Sequence, residues 1–500
     1  MSRSFRKDPQ LCFAPDCPHG QPGLLCVKNE EVIMETSQSL TLRECLIGPK
    51  GFYRRVAVIV LPIIVQNTLS NVVSLLDNVM VGQVGTLPMS AVAIVNQLLF
   101  VFYLCIFGST AGAGIYGAQF YGQGNLDGVR QTFRIKLVIG AVLTGGALAL
   151  FLAAGQPMIL SYIAAGTAPT DAAATLGFAR QYLRVMLPGL IPFTVTQVYA
   201  GTLRESGQTT LPMKASIIAM AVNFVFNALL IFGLLGFPRL GVVGAGLATM
   251  LSRFVEMGIV VVGSHRSAER YPHMQGLYRP FVIPKDLARQ VIPKSLPLLV
   301  NEFLWSFGQA VLLQCYSVRG IDVVAAMNIC ATCSNLFSTV FLSLGNATAV
   351  VVGQELGGSH LTNARRTAWR MIVLSVVSCV FTGGALALCS PLIPHIYNTE
   401  LAIRLLASEC ICVYAVCMPL QGFANCSYFI LRSGGKTFIT FLFDSCFTWV
   451  VTVPAAFLLC RYTGLNIVTV YLAVCGLDLI KCLLGFVMVK KGIWVKNIVA

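Results

Sequence analysis

With 500 residues, 56% of them hydrophobic and only 11% charged, and a mean hydropathy of +0.76, the chain has too few charges to cover a soluble surface and reads as an all-α polytopic membrane protein. The formal net charge of +15 does not imply a nucleic-acid partner, because Lys and Arg sit at the ends of apolar runs and not on one face interleaved with aromatics. Eighteen cysteines do not make a disulfide scaffold, since most fall inside those runs and act there as small apolar residues. No P-loop, nucleophile elbow or metal-binding His pair supports an enzyme or a cofactor.

Residues 1–53 are polar, lack the apolar core of a cleavable signal peptide, and read as a cytoplasmic tail. Its Cys12, Cys17, His19 and Cys26 do not have the spacing of a closed zinc site. Twelve spans follow, over 54–81, 88–118, 130–154, 178–201, 211–234, 242–263, 290–317, 322–352, 368–389, 402–431, 437–460 and 465–489. They group into an amino-terminal six-helix lobe (54–265), a cytoplasmic linker (266–289), a carboxyl-terminal six-helix lobe (290–490) and a short tail (491–500). If residues 1–53 are cytoplasmic, alternate loops collect Arg130 and Arg134, Arg204 and Lys214, Arg365 and Arg366, and Lys490 and Lys491, while the opposite loops hold only Arg239, Arg319 and Arg461. Both termini are then expected inside.

The first span carries an aspartate, and a carboxylate in mid-membrane costs about 2.5–3.5 kcal/mol on insertion scales. Asn67, Ser70, Asn71, Ser74, Asp77 and Asn78 recur at three- and four-residue steps, so they share one helix face. That face must meet other helices or a wet cavity. It is either an interhelical packing network or a binding and proton-handling site.

A repeat organises the rest. GAQFYGQGNLDGVRQTF from Gly117 is echoed 235 residues later by VGQELGGSHLTNARRTA from Val352, which aligns Gln119, Gly122 and Arg130 with Gln354, Gly357 and Arg365. The same step aligns Pro62 with Pro297, and TLRESGQT from Thr202 matches ILRSGGKT from Ile430. A repeat of this length means two six-helix halves, related by an axis along the membrane normal because each half has an even number of spans.

This order of landmarks, with NFVFNALLIFG followed by GVVGAGLATMLS, resembles the multidrug and toxic compound extrusion family, bacterial-type exporters, from about residue 50 to 490. The resemblance implies twelve transmembrane helices in two pseudo-symmetric lobes and export of organic, often cationic, solutes against H+ or Na+. By motif position it implies a coupling-cation site at Asp77, Asn223, Asn227 and Thr249. Independently, Asn223 and Asn227 lie one turn apart on one face, and carboxylate, amide and hydroxyl oxygens suit a hard monovalent ion. Glu302 matches an acid of the family's carboxyl lobe, but Gln421 and Asn425 stand where an aspartate is often found, which weakens the case for a second cation site there. With Asn71 and Asp444 these residues are the candidate substrate cavity. Asp444 either contacts a cationic solute or is solvated at a helix end. Arg253 and Glu256 occupy the repeat-equivalent places of Asp478 and Lys481 and are expected as structural pairs with exchanged signs.

Expected, then, is a monomeric, multi-pass exporter of the cell membrane, without cofactor, whose partners are lipid and small solutes. Protons are the simpler coupling ion, since one buried acid among amides already suffices for proton exchange while sodium needs several converging oxygens. The alternative is a flippase of lipid-linked oligosaccharide, which would line its cavity with several Arg and Lys to hold a diphosphate. Intramembrane charge read from the sequence is mainly acidic, which favours the exporter.

Overall fold

The computed structural model describes residues 47–163, 168–267, 269–397 and 399–500. Most of the expected tail, with Cys12, Cys17, His19 and Cys26, lies outside the described residues.

Each predicted span is matched by a helix. These are α1 Lys50–Gly82, α2 Thr86–Gln123, α3 Leu126–Leu160, α4 (Pro169–Met186 and Leu190–Glu205), α5 Thr210–Phe232, α6 Val242–Arg266, α7 Lys285–Ser317, α8 Ile321–Gly357, α9 Leu361–Cys389, α10 Leu401–Ser433, α11 Thr437–Tyr462 and α12 Ile467–Lys491. No strand occurs among the described residues. Several helices overshoot their predicted ends: α2 has 38 residues and α8 has 37, when about 20 cross a bilayer core. Hydropathy marks only the lipid-bathed part of a helix, and the remainder continues into the polar zone. Eleven of the helices are long and apolar enough by themselves to cross a membrane. The exception is α4, which is interrupted by a 3-10 turn at Leu187–Gly189. Pro188 and Pro192 withhold two amide donors there, and the tighter turn absorbs the break.

The two signature loops are tight for local reasons. Gly124 takes φ 79° at the end of α2, where its amide reaches back to Phe120 and Tyr121, a left-handed cap that glycine adopts without penalty. Asn125 then caps α3 by accepting from the Gly128 amide at 2.9 Å.

α1 and α2 of the first lobe pack against α7 and α8 of the second. Each lobe has its own apolar core, and a third core is shared, with Val56, Ile59, Val60 and Ile63 of α1 against Leu344, Val350 and Val351 of α8. The repeat crosses itself at this seam. Gly122 lies against the backbone carbonyl of Gln354, and Gly357 against that of Gln119, each so closely that a Cβ would collide. The Gln119 amide donates to Ser433 O at 2.9 Å and the Gln354 amide to Glu205 O at 2.7 Å. Ser433 and Glu205 are themselves repeat equivalents, so the two bonds are copies related by the pseudo-twofold axis. Hydrogen bonds between lobes cluster in the half of the molecule that carries the signature loops; on α1 they run from Arg55 to Asn71.

The linker is packed, which hydropathy gave no reason to expect. Arg134, read in sequence only as a loop charge, is buried and donates to the carbonyls of Gly276, Leu277 and Val282 at 3.1, 2.7 and 3.0 Å. The carboxyl tail is also docked: Trp494 is fully buried, and the Ile498 amide donates to Gln119 Oε1 at 2.9 Å.

Candidate functional site

α1, α5 and α6 bring four polar side chains together inside the first lobe. Asp77, 9% exposed, accepts from Asn227 Nδ2 at 2.5 Å and from the Thr249 hydroxyl at 3.5 Å. Asn223 donates to Thr249 Oγ1 at 3.2 Å, and Asn227 donates to Asn223 Oδ1 at 3.1 Å. The i, i+4 spacing of the two asparagines puts both on the face of α5 that meets α1 and α6. One acceptor is left over, because Asn227 Oδ1 is buried without a partner. Arg253 on α6 lies within electrostatic reach of Asp77. The donor set is all oxygen and amide, hard enough for a proton or an alkali cation and unsuited to a soft metal.

A second pattern runs through both lobes. In the first, Gln66 Nε2 donates to Ser216 Oγ at 3.0 Å, Ser216 donates to Glu256 at 2.7 Å, and Glu256 pairs with Arg253 at 3.3 Å. In the second, Asn301 donates to Asp444 at 3.2 Å, Lys481 Nζ lies 3.3 Å from the other Asp444 oxygen, and Asp478 is 4.0 Å from Lys481. Gln66 and Asn301 are 235 residues apart, and Ser216 and Asp444 are separated by the 228 residues that also separate Arg204 from Arg432. The chains are therefore copies, with the charges of the last two members reversed.

The MatE family profile matches residues 62–229 and 297–458, two stretches that open on the repeat-equivalent Pro62 and Pro297. The chain belongs to the MatE family. It is similar to the probable multidrug resistance protein NorM of Thermotoga maritima, with 25% identity over 446 residues covering 88% of this chain and 92% of that one. It is also similar to the multidrug resistance protein MdtK of Pectobacterium atrosepticum, with 26% identity over 413 residues covering 81% and 87%. Its fold matches a structure described as MATE in complex with MaL6 at a TM-score of 0.79 and 18% identity, over 90% of this chain and 97% of that chain. This MatE chain is thus a multi-pass membrane transporter.

The remaining candidates do not form one cation site in the MatE fold. Asp444 is seven residues inside α11, within the wide i+5 stretch Leu442–Cys446, and its charge is already met by Lys481. It is neither a solvated helix end nor a free acid. Lys481 leans toward Asp444 more than toward Asp478, because α11 faces α12 there. Asn71 donates to Thr339 Oγ1 across the lobe seam at 3.2 Å. Gln421 and Asn425 lie half-buried on α10, with Asn425 pressed against Gly345 of α8. Glu302 sits beside Gly108 of α2 and within the field of Arg432 and Asp444.

Sequence reasoning missed the charges at the end of the lobe seam that carries the signature loops. Lys136, Glu205, Arg204 and Arg432 line one cavity there, with Lys136 fully buried and paired with Glu205. The expectation of mainly acidic intramembrane charge is corrected accordingly. The available signal was the Leu-Arg dipeptide common to both signatures, which recurs in the two lobes too far inside the fold for an ordinary loop charge.

Proposed function

We propose that this protein is a secondary active exporter that exchanges protons for organic solutes, cationic ones among them, by alternating access of its two lobes. It works as a monomer in the cell membrane with both termini cytoplasmic. The observation that carries this reading is the closed cluster of Asp77, Asn223, Asn227 and Thr249 in an apolar lobe, and its relatives' description as multidrug resistance proteins supports the cargo class.

Ionised Asp77 only accepts hydrogen bonds, and Asn227 Nδ2 supplies one. Once protonated, Asp77 becomes a donor and needs an acceptor. Turning the Asn227 amide over would bring its unpartnered Oδ1 to that place. The same turn would replace a donor by a carbonyl oxygen for sodium, so the two ions compete for one site. The same helix α1 that carries Asp77 toward α5 and α6 turns Asn67 and Asn71 toward the other lobe, where they bond to Ser343 and Thr339 of α8 at 3.2 Å each. A change in how α1 sits on α5 therefore reaches the seam between lobes along one helix.

Efflux from everted vesicles at clamped pH tests the assignment. It is expected to persist when sodium is replaced by a large organic cation and to stop with a proton uncoupler; the reverse pattern assigns the cluster to sodium. A flippase would need room for a diphosphate and its sugar. Of the basic side chains at the lobe seam Lys136 is already paired with Glu205, and nothing in the cluster around Asp77 serves that cargo.

A further inference from the structure

We infer that Arg204 and Arg432, one from each lobe, form a carboxylate subsite at the inner end of the central cavity, so that solutes bearing a carboxylate beside their amine are preferred cargo. The inference rests on the exporter reading above and names a part of its substrate.

The cavity lies where α2, α4, α8 and α10 meet, and Arg204, Arg432, Lys136, Glu205, Phe107 and Asn346 contribute to its wall. Its volume of about 80 Å³ compares, on the same measure, with at least about 10–15 Å³ for one water. That leaves room for a carboxylate. Arg432 is 7% exposed, and its guanidinium is flanked by the rings of Phe107 and Phe429 at 5.8 and 5.2 Å. Its NH1 group is buried and donates to nothing. Arg204 makes a single long side-chain bond, to Gln197 Oε1 at 3.5 Å, and its Nε is also buried without a partner. A desolvated donor left open costs free energy that a ligand recovers on binding, and a guanidinium fork matches a planar carboxylate.

The nearby acids do not already satisfy these cations. Glu205 is engaged by Lys136. Glu302 is in the field of Arg432, yet no carboxylate among the described residues lies within salt-bridge distance of either arginine. With every group ionised, Lys136, Arg204 and Arg432 outweigh Glu205 and Glu302 by one positive charge, and Glu256, which also acts on Arg204, is already paired with Arg253. Because the two arginines hold equivalent places in the repeat, the pseudo-twofold axis passes between them, and one anion on that axis meets both. Glu302, beside Gly108 and so one residue along α2 from Phe107, is placed to meet the amine of the same solute.

The test uses two rhodamine dyes that differ only in a free carboxylate and its ethyl ester, titrated against the purified full-length protein and followed for export in proteoliposomes. The free acid is expected to bind more tightly than the ester. In Arg432→Gln the acid-over-ester affinity ratio should fall about tenfold, the loss of one charge-assisted contact, with Arg432→Lys in between. An unchanged ratio would overturn the subsite. Should the variants not fold, competition on the unmodified protein decides. Benzoate is expected to displace the acid dye at concentrations where benzamide does not, and equal effects of the two refute the proposal. Failure to export either dye under a gradient counts against the exporter reading alone, since the binding ratios still judge the subsite.

Discussion

Asp77 is the side chain whose burial asks most of its neighbours, and everything it touches is an amide or a hydroxyl. Asp77→Asn keeps the shape and the hydrogen-bonding partners but cannot cycle charge, so gradient-driven export should be abolished while the protein remains folded and inserted. Undiminished export by that variant would remove the aspartate from the coupling step. This cluster was legible in the sequence because a polar residue in an apolar span is costly and must find partners. Asn223, Asn227 and Thr249 were identifiable as those partners only by adding the family's pattern to the helical spacing. Lys136 was invisible, since a lysine near a helix end is already explained by membrane orientation and only the fold shows it buried. That Asp444 is no helix end was hidden for a related reason: its partner Lys481 comes from another helix 37 residues on. Lys481→Met should therefore leave Asp444 and Asp478 uncompensated and lower the thermal midpoint, while Asp444→Asn with Lys481→Met recovers part of the loss. A coupling of about 1 kcal/mol or more between the two sites is expected for groups in one network, and strictly additive losses would show that the pair is not a unit.

At the scale of elements, the sequence located the helices well and their junctions poorly. Hydropathy finds the part of each helix that lipid surrounds, so it found all twelve, but it cannot see that the linker between lobes is bound. That linker is held by Arg134 through three carbonyls, and its own Tyr271, His273, Met274 and Leu277 are buried. His273 has neither ring nitrogen hydrogen-bonded. Burial, followed by the nearby positive charges of Arg130 and Lys136, holds its imidazole down from 6.5 to about 4. Between those values the undocked linker binds a proton that the docked one refuses, so docking is fully stable above pH 6.5 and weakens as pH falls toward 4. The protection of residues 269–284 against hydrogen exchange, expressed relative to the intrinsic amide rate at each pH, should fall over that window in the natural protein and much less so in His273→Leu. Identical pH profiles for the two would mean that the histidine is not the group responsible.

For the whole molecule, the repeat fixes how the lobes close on each other. Gln119 and Gln354 occupy equivalent places, and each bonds the carbonyl at the end of the other lobe's signature helix, Ser433 O at 2.9 Å and Glu205 O at 2.7 Å. Gln119 further accepts from the Ile498 amide at 2.9 Å and donates to Lys496 O at 3.3 Å, while Gln354 accepts from Arg55 of the other lobe at 2.9 Å, so the carboxyl tail reinforces one side of the seal and α1 the other. The glycines beneath, Gly122 and Gly357, let the backbones touch. With the signature loops cytoplasmic, as proposed above, this is the inner gate, closed, and it must break in every transport cycle. A net hydrogen bond contributes about 1 kcal/mol, so Gln354→Ala should shift the balance between closed and open inner gate by about fivefold to tenfold. Gln119→Ala loses the tail's anchorage where Gln354→Ala loses the Arg55 bond, so it should shift the balance by a similar factor. Distances between labels placed at the exposed positions 127 and 362 read the shift directly; they must be attached through a chemistry other than thiols, because the chain has eighteen cysteines. Both variants are expected to enlarge the population with widely separated labels. Deleting residues 496–500, which spares the buried Trp494, should open the gate less than Gln119→Ala does, since it removes the tail bonds and leaves both glutamine-to-carbonyl bonds across the axis. If the deletion opens the gate as far as Gln119→Ala does, the symmetric glutamine pair contributes nothing and the tail alone holds the lobes together at that end.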